Sequence, residues 1–384
     1  MPMTSKERLL SAVRSGPVDH VPMTIRFWST PQHARATWRD ERERLQFFAH
    51  RDWDAYVTMW CGVQPAPVVR GEVHHEHDAG GPVLRQVWHT PAGVITERLR
   101  VTDDWPEAQT ATQPIGLLHD FRTPRYIEVP FKTADDLAAL PYLLPIDNPA
   151  EEAGMTRAYH DARALADEFG VALLADIRSG LDWLVWLYPA QEAVLRTLDS
   201  PDMIRQMLAH VHAAYRRRLD LLLGLGVDGV IRSGWYESAD LWSPELFRAY
   251  AVPELEWEIR AAKEAGVPLV YLMDSGVTPL LPDLNRLPFD CLAGIDPATA
   301  GGTDLAAIRR CLPGKAIWGG ISGPLHLGLA GPAEVERAVE RAFAACGKSG
   351  FILGPVVGFR YNWPWENLEA CDRAWRRLRS ARQA

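Results

Sequence analysis

The chain has 384 residues, 47% hydrophobic and 23% charged, an ordinary globular composition with ample material for a core, which excludes general disorder. Its 49 acidic and 41 basic residues give a formal net charge of -8, which argues against a nucleic-acid-binding surface. Only Lys6, Lys132, Lys263, Lys315 and Lys348 are lysines, which argues against Schiff-base chemistry.

No run of 18 apolar residues occurs, and the opening MPMTSKERLL lacks the apolar core of a signal peptide. Cys61, Cys291, Cys311, Cys346 and Cys371 are scattered and form no C-x-x-C. Reduced thiols, a cytoplasmic location and no membrane span are expected.

Eight short apolar runs read as strands: residues 21–27, 54–60, 171–177, 227–233, 267–274, 289–296, 316–322 and 350–354. Several are apolar throughout, as parallel strands buried on both faces require. Helices read between most of them. Ser200-Pro201-Asp202 starts one that ends at Gly224 and Gly226. Ser243-Pro244-Glu245 starts one running to about Glu264, and Gly331-Pro332-Ala333-Glu334 starts one ending near Cys346-Gly347.

This alternation predicts an α/β fold, a (β/α)8 TIM barrel forming a single domain over residues 1–384. Residues 70–150 break the rhythm, with Gly80-Gly81-Pro82 and a hairpin around Pro91-Ala92-Gly93. They read as an insertion between the second and third strands, packed on the barrel.

Active sites of such barrels lie at the C-terminal ends of the strands. Those ends offer Arg26 and Trp28, Trp60 and Cys61, then Asp176, Arg178 and Asp182, then Arg232, Trp235, Tyr236 and Glu237. Asp274, Ser275, Asp296, Ser322, Arg360, Tyr361, Trp363 and Trp365 follow. With 15 tryptophans, many beside Gly, Pro or charged residues, an aromatic-lined pocket is expected.

Glu237, Tyr188 and Asp274 are the candidate catalytic residues, Glu237 as general acid. The candidate substrate-binding residues are Arg26, Trp28, Trp60, Trp183, Trp235, Tyr236, Asp296 and Arg360. Arg26 suits an anionic group, and the aromatic faces suit a cation or an aryl group. His74-His75-Glu76-His77 reads as a solvated edge rather than a metal site, Cys61 as a buried inert thiol, and the Arg-rich stretch from Arg373 to Arg382 as a solvated helix face.

Several local motifs carry a family resemblance. They are Lys6-Glu7-Arg8 through Pro17-Val18-Asp19-His20-Val21-Pro22, Gly226-Val227-Asp228-Gly229-Val230, and Trp242-Ser243-Pro244-Glu245-Leu246-Phe247-Arg248-Ala249-Tyr250. Ala265-Gly266-Val267-Pro268 with Asp274-Ser275-Gly276, Gly319-Gly320-Ile321-Ser322 and Phe351-Ile352-Leu353-Gly354-Pro355 complete the set. Outside residues 70–150 the chain resembles the uroporphyrinogen decarboxylase superfamily, which joins haem-pathway decarboxylases to corrinoid-linked methyltransferases on a (β/α)8 barrel.

The resemblance matches the decarboxylases' substrate-binding Arg to Arg26, in Arg26-Phe27-Trp28-Ser29-Thr30. It matches their Tyr pattern to Gly180, Trp183 and Tyr188. The Asp that binds pyrrole nitrogens falls near Cys61, and the His of the family's last turn near Val357. A thiol does not replace an anion that gathers N–H donors, so turnover of uroporphyrinogen is not expected.

The thiol-methylating branch holds zinc with an H-x-C motif, which here reads Met273-Asp274-Ser275. Its later Cys falls in Val356-Val357-Gly358, so no metal site is expected. The resemblance then implies methyl transfer from a methoxy- or methylamine-type small molecule to a corrinoid protein. Cobalamin would be carried by that partner and no cofactor held tightly by this chain. A homodimer is a further partnership considered. A decarboxylase or other lyase acting on a polycarboxylate, and a non-catalytic ligand-binding barrel, stand as alternatives.

Overall fold

The computed structural model describes residues 2–28, 38–118, 120–298, 303–356, 358–360 and 362–380. Its strands in chain order are β1 (Phe27–Trp28), β2 (Tyr56–Trp60), β3 (Arg70–Asp78), β4 (Gly81–Thr90), β5 (Gly93–Arg100), β6 (Tyr126–Glu128) and β7 (Ala172–Ile177). They continue with β8 (Gly229–Ser233), β9 (Leu269–Leu272), β10 (Cys291–Ile295), β11 (Ala316–Ser322), β12 (Phe351–Val356) and β13 (Phe359–Arg360).

Seven of them form one curled parallel sheet in the order β12-β11-β10-β9-β8-β7-β2. The expected first strand, residues 21–27, forms no regular ladder. Pro22 has no N–H to give, and the Met23 N–H goes to the Asp54 carboxylate at 3.2 Å. The segment still bridges the sheet's two edges. Pro22 and Thr24 hydrogen-bond Leu353 of β12, and the Asp54 N–H, just before β2, donates to the Met23 carbonyl at 2.9 Å. Further on, β1 pairs with β13.

The curled sheet has two buried faces. On the convex face, Leu173, Ala175 and Ile177 of β7 join the large cluster beneath the helices. On the concave face, Ala172, Leu174, Ile231, Val270, Ala293, Trp318 and Ile352 form a second cluster. The helix Ser5–Val13 covers one end of this concave face: its Leu9, Ala12 and Val13 pack with Ala172, Cys291 and Ala316, the first residues of their strands. Thr4 and Glu7 close a capping box at its start. Arg8 ties the helix down, with Nη1 donating to Asp54 and Nε to Asp19, both at 2.6 Å. The other end, at the C-terminal ends of the strands, carries the cavity described below.

Between β2 and β7 the chain folds as an antiparallel sheet, β3-β4-β5-β6. The expected hairpin at residues 91–93 is present, with Thr90 opposite Gly93. Leu84, Leu99, Trp105 and Ile115 give this sheet its own small core. Among the bonds that fix it to the parallel sheet's surroundings are Thr123 Oγ1 to the Val185 carbonyl, Tyr126 Oη to the Trp186 carbonyl, and Tyr188 Oη to the Phe131 carbonyl.

The helix expected from Ser243 to Glu264 splits into Pro244–Tyr250 and Val252–Glu264, because Pro253 cannot donate back across the joint. Pro201–Leu225 and Pro332–Cys346 match their expected starts and ends. Among the described residues no helix is long and apolar enough to cross a membrane.

Candidate functional site

A cavity of about 450 Å³ opens at the C-terminal ends of the parallel strands. Side chains alternate along a strand, so Ala172, Leu174 and Asp176 of β7 share the concave face, as do Ile231 and Ser233 of β8. Ile231, Val270, Ala293 and Trp318 form the apolar floor. Tyr56 stands against Trp318, ring centroids 5.4 Å apart at 84°, and Trp318 Nε1 donates to Thr24 Oγ1 at 2.8 Å.

Above the floor stands Asp176, buried. Ser233 Oγ donates to it at 2.9 Å, and Arg178 Nε lies 3.6 Å away. Burial raises its carboxyl above the ordinary carboxylate range, while Arg178 and Arg26 pull the other way. Among the described residues the Arg178 Nε–H has no hydrogen-bond partner.

Arg26, Trp60 and Trp235 form the rim. The Arg26 guanidinium lies 5.0 Å from the Trp60 ring centroid and 5.7 Å from that of Trp235. The Arg178 guanidinium lies 4.2 Å from the same Trp60 ring, which is 45% exposed and able to receive a ligand. Arg26, two indole faces and the buried Asp176 carboxyl therefore line one concavity, with Arg178 held against Trp60 and near Asp176, an arrangement that suits a small planar or methylated ligand with an anionic part.

Of the expected site residues, Arg26, Trp60 and Trp235 line this cavity. Others do not reach it. Glu237 is fully buried on the convex side. It accepts from Arg232 Nη1 and Nη2 and from the Leu181 N–H, each at 2.8 Å, and from Tyr271 Oη at 2.6 Å. Those four donors leave it no lone pair for a substrate, so the general-acid reading is corrected.

Tyr188 is buried where the two sheets join, and Trp183 is a core residue with Nε1 bonded to the Arg178 carbonyl at 2.8 Å. Tyr236 is half-buried against the convex core, its N–H held by Asp182. Arg360 is exposed on β13. The side chain of Trp28, and Tyr361 and Val357, lie outside the described residues.

Asp274 and Asp296 stand just past β9 and β10, two residues beyond the cavity-lining Leu272 and Gly294. Burial, with Asp296 and Asp240 as like charges, pushes the Asp274 carboxyl up to about 7. Below about pH 4 this group is protonated in folded and unfolded chains alike. Between there and about 7 only the folded chain holds the proton, so stability falls as pH rises. Asp274→Asn is therefore expected to gain on the order of 1 kcal/mol at pH 8 and nothing at pH 4, read from urea unfolding at both values. An equal change at both would contradict the assignment.

Sequence reasoning placed Asp176 and Arg178 at a strand end without selecting them, and it missed Tyr56 and Trp318. The period-two pattern that puts Asp176 beside Ala172 and Leu174 was the available signal. The histidine tract lies on edge strand β3 and does not converge: His75 Nε2 contacts the Ala111 carbonyl, and Glu76 pairs with Arg85. Among the described residues no group of three His, Cys, Asp or Glu is placed to hold a metal ion. Cys61 is buried, and burial keeps its thiol protonated.

The sequence pattern of the Uroporphyrinogen decarboxylase (URO-D) family matches residues 106–378. Among solved structures, a methyltransferase from Methanosarcina mazei is similar in fold, with a TM-score of 0.60 at 16% identity, covering 98% of this chain and 99% of that one. A B12-independent methionine synthase from Shewanella sp. W3-18-1 aligns at a TM-score of 0.38 and 11% identity, over 57% of this chain and 66% of that one, too low a similarity to argue from. No protein of curated function matches the sequence. The URO-D match spans well over half of the sequence, and the chain belongs to the uroporphyrinogen decarboxylase family.

Proposed function

We propose that this protein transfers a methyl group from a methoxy- or methylamine-type small molecule to a corrinoid carried by a partner protein. The scaffold is read as a (β/α)8 barrel in which the segment at residues 21–28 completes the ring and residues 70–150 are an insertion. The observation that carries the reading is the buried Asp176 carboxyl at the wall of a cavity rimmed by Trp60, Trp235 and Arg26. The neighbour from Methanosarcina mazei bears the name methyltransferase, which supports it.

In this reading the donor lies on the apolar floor with its anionic part toward Arg26 and Arg178. Its methyl group faces the mouth. As the bond from methyl carbon to donor oxygen or nitrogen breaks, the electron pair stays on that heteroatom, which takes a proton from Asp176. The apolar floor keeps water from competing. A cavity of about 450 Å³ takes a small donor. A corrinoid is far larger than this cavity, so the cavity mouth is where a partner's corrinoid would be presented, and it would there supply the nucleophile. The thiol-activating zinc arrangement of the family does not fit these residues: Met273 is buried and Ser275 bonds Asp240.

One observation favours a second reading. Arg26 and Arg178 both lie over Trp60 beside a protonatable carboxyl, an arrangement that also suits loss of CO2 from a carboxylate and protonation of the resulting carbanion. A donor panel of methoxy and methylamine compounds, incubated with chemically reduced cobalamin and followed by absorbance, separates the two. Formation of methylated cobalamin is expected. Release of CO2 from carboxylate members without methylation would replace the first reading with the second.

A further inference from the structure

The convex side of β8 holds a buried ionic network that the proposed chemistry does not use, and it grips the loops that carry Arg178 and Trp235. Arg232 and Glu237 form a bidentate pair, and the same Glu237 takes the N–H of Leu181 from the loop after β7. Asp182, also fully buried, accepts the N–H groups of Trp235 at 2.9 Å and Tyr236 at 2.8 Å. Each loop thus supplies a carboxylate or a backbone donor to the other.

Two glycines show how tightly this is built. A Cβ on Gly180 would lie 1.8 Å from Glu237 Oε1, and one on Gly234 would lie 2.4 Å from Glu237 Oε2. The ion pair is packed directly against the backbone of both loops.

We infer that Asp182 and the Arg232–Glu237 pair are positioning residues: they clamp the loops after β7 and β8 so that the Trp235 ring is held at the cavity rim beside Arg26. This rests on the reading of that cavity as the binding site. The physical basis is that two charge-assisted bonds to consecutive backbone N–H groups fix the peptide from which the Trp235 side chain departs. A rim fixed in advance spends no ligand-binding energy on ordering itself.

The test is 19F NMR of protein labelled with 5-fluorotryptophan, without ligand. The Trp235 resonance is assigned by its loss in Trp235→Phe. In Asp182→Asn, which keeps one acceptor oxygen, the Trp235 line is expected to shift while core lines such as that of Trp375 stay in place. In Asp182→Ala it is expected to shift further and broaden. An unmoved Trp235 line in folded Asp182→Ala overturns the clamp, and so does an unmoved line in Asp182→Asn should the Ala variant not fold. Because no ligand is present, the outcome is independent of the reaction. A displaced line in a protein that methylates no corrinoid upholds the clamp and rejects only the proposed chemistry.

Discussion

Asp176→Asn is expected to cut turnover by about 10²- to 10⁴-fold, the usual contribution of a positioned proton donor, while donor affinity changes little. The substitution keeps the shape of the side chain and an oxygen to accept from Ser233 Oγ. It removes the proton that the leaving heteroatom needs. Measuring kcat together with the dissociation constant separates this role from binding. A large loss of affinity with unchanged kcat would show that Asp176 serves to hold the donor. Unchanged values of both would remove it from the mechanism.

The second large effect concerns the fold. Arg232 is the guanidinium between Glu237 and Glu258, bonded to the first at 2.8 Å and to the second at 3.0 Å, all of it buried. Arg232→Leu leaves two buried carboxyls facing each other without a cation. A loss of about 3–5 kcal/mol in urea unfolding at pH 8 is expected. Burial, together with Glu254 and Glu237, already raises the Glu258 carboxyl to about 7 with Arg232 present. In the variant the cation that opposes this rise at Glu258 is gone, so the deficit should shrink as pH falls toward 4. Arg232→Leu combined with Glu237→Gln should recover part of it. A single variant as stable as the parent at pH 8 would show that water reaches the pair.

These two residues mark what the sequence made legible. Strands β7 to β12 were visible because a strand covered on both sides needs apolar residues at every position, and that signal is local. The first expected strand was not formed regularly, since Pro22 and the Asp54 carboxylate divert the hydrogen bonds on which a ladder depends. The Ser5–Val13 helix carries a local sign in its Thr4–Glu7 capping box, but nothing local places it at one end of the concave face, because its partners Cys291 and Ala316 are far away in sequence.

Of the residues singled out at strand ends, Arg26, Trp60 and Trp235 line the cavity. Glu237 was misplaced by the same rule. It follows Arg232, which by strict alternation with Ile231 and Ser233 points to the convex side, and a carboxylate five residues on turned back to meet it. Strand-end position identifies which loops surround a cavity. The period of two, and the electrostatics of buried pairs, decide which side chains enter it.

In the proposed chemistry the ligand occupies the concavity between Trp60 and Trp235, with Asp176 as its proton source. Crystals soaked with the most active member of the donor panel test it most directly. Density is expected on the Trp318 floor, with an anionic group toward Arg26 or Arg178 and the leaving heteroatom within hydrogen-bond distance of an Asp176 oxygen. Density outside this cavity, whether beside Glu237 behind β8 or along the antiparallel sheet, would contradict it.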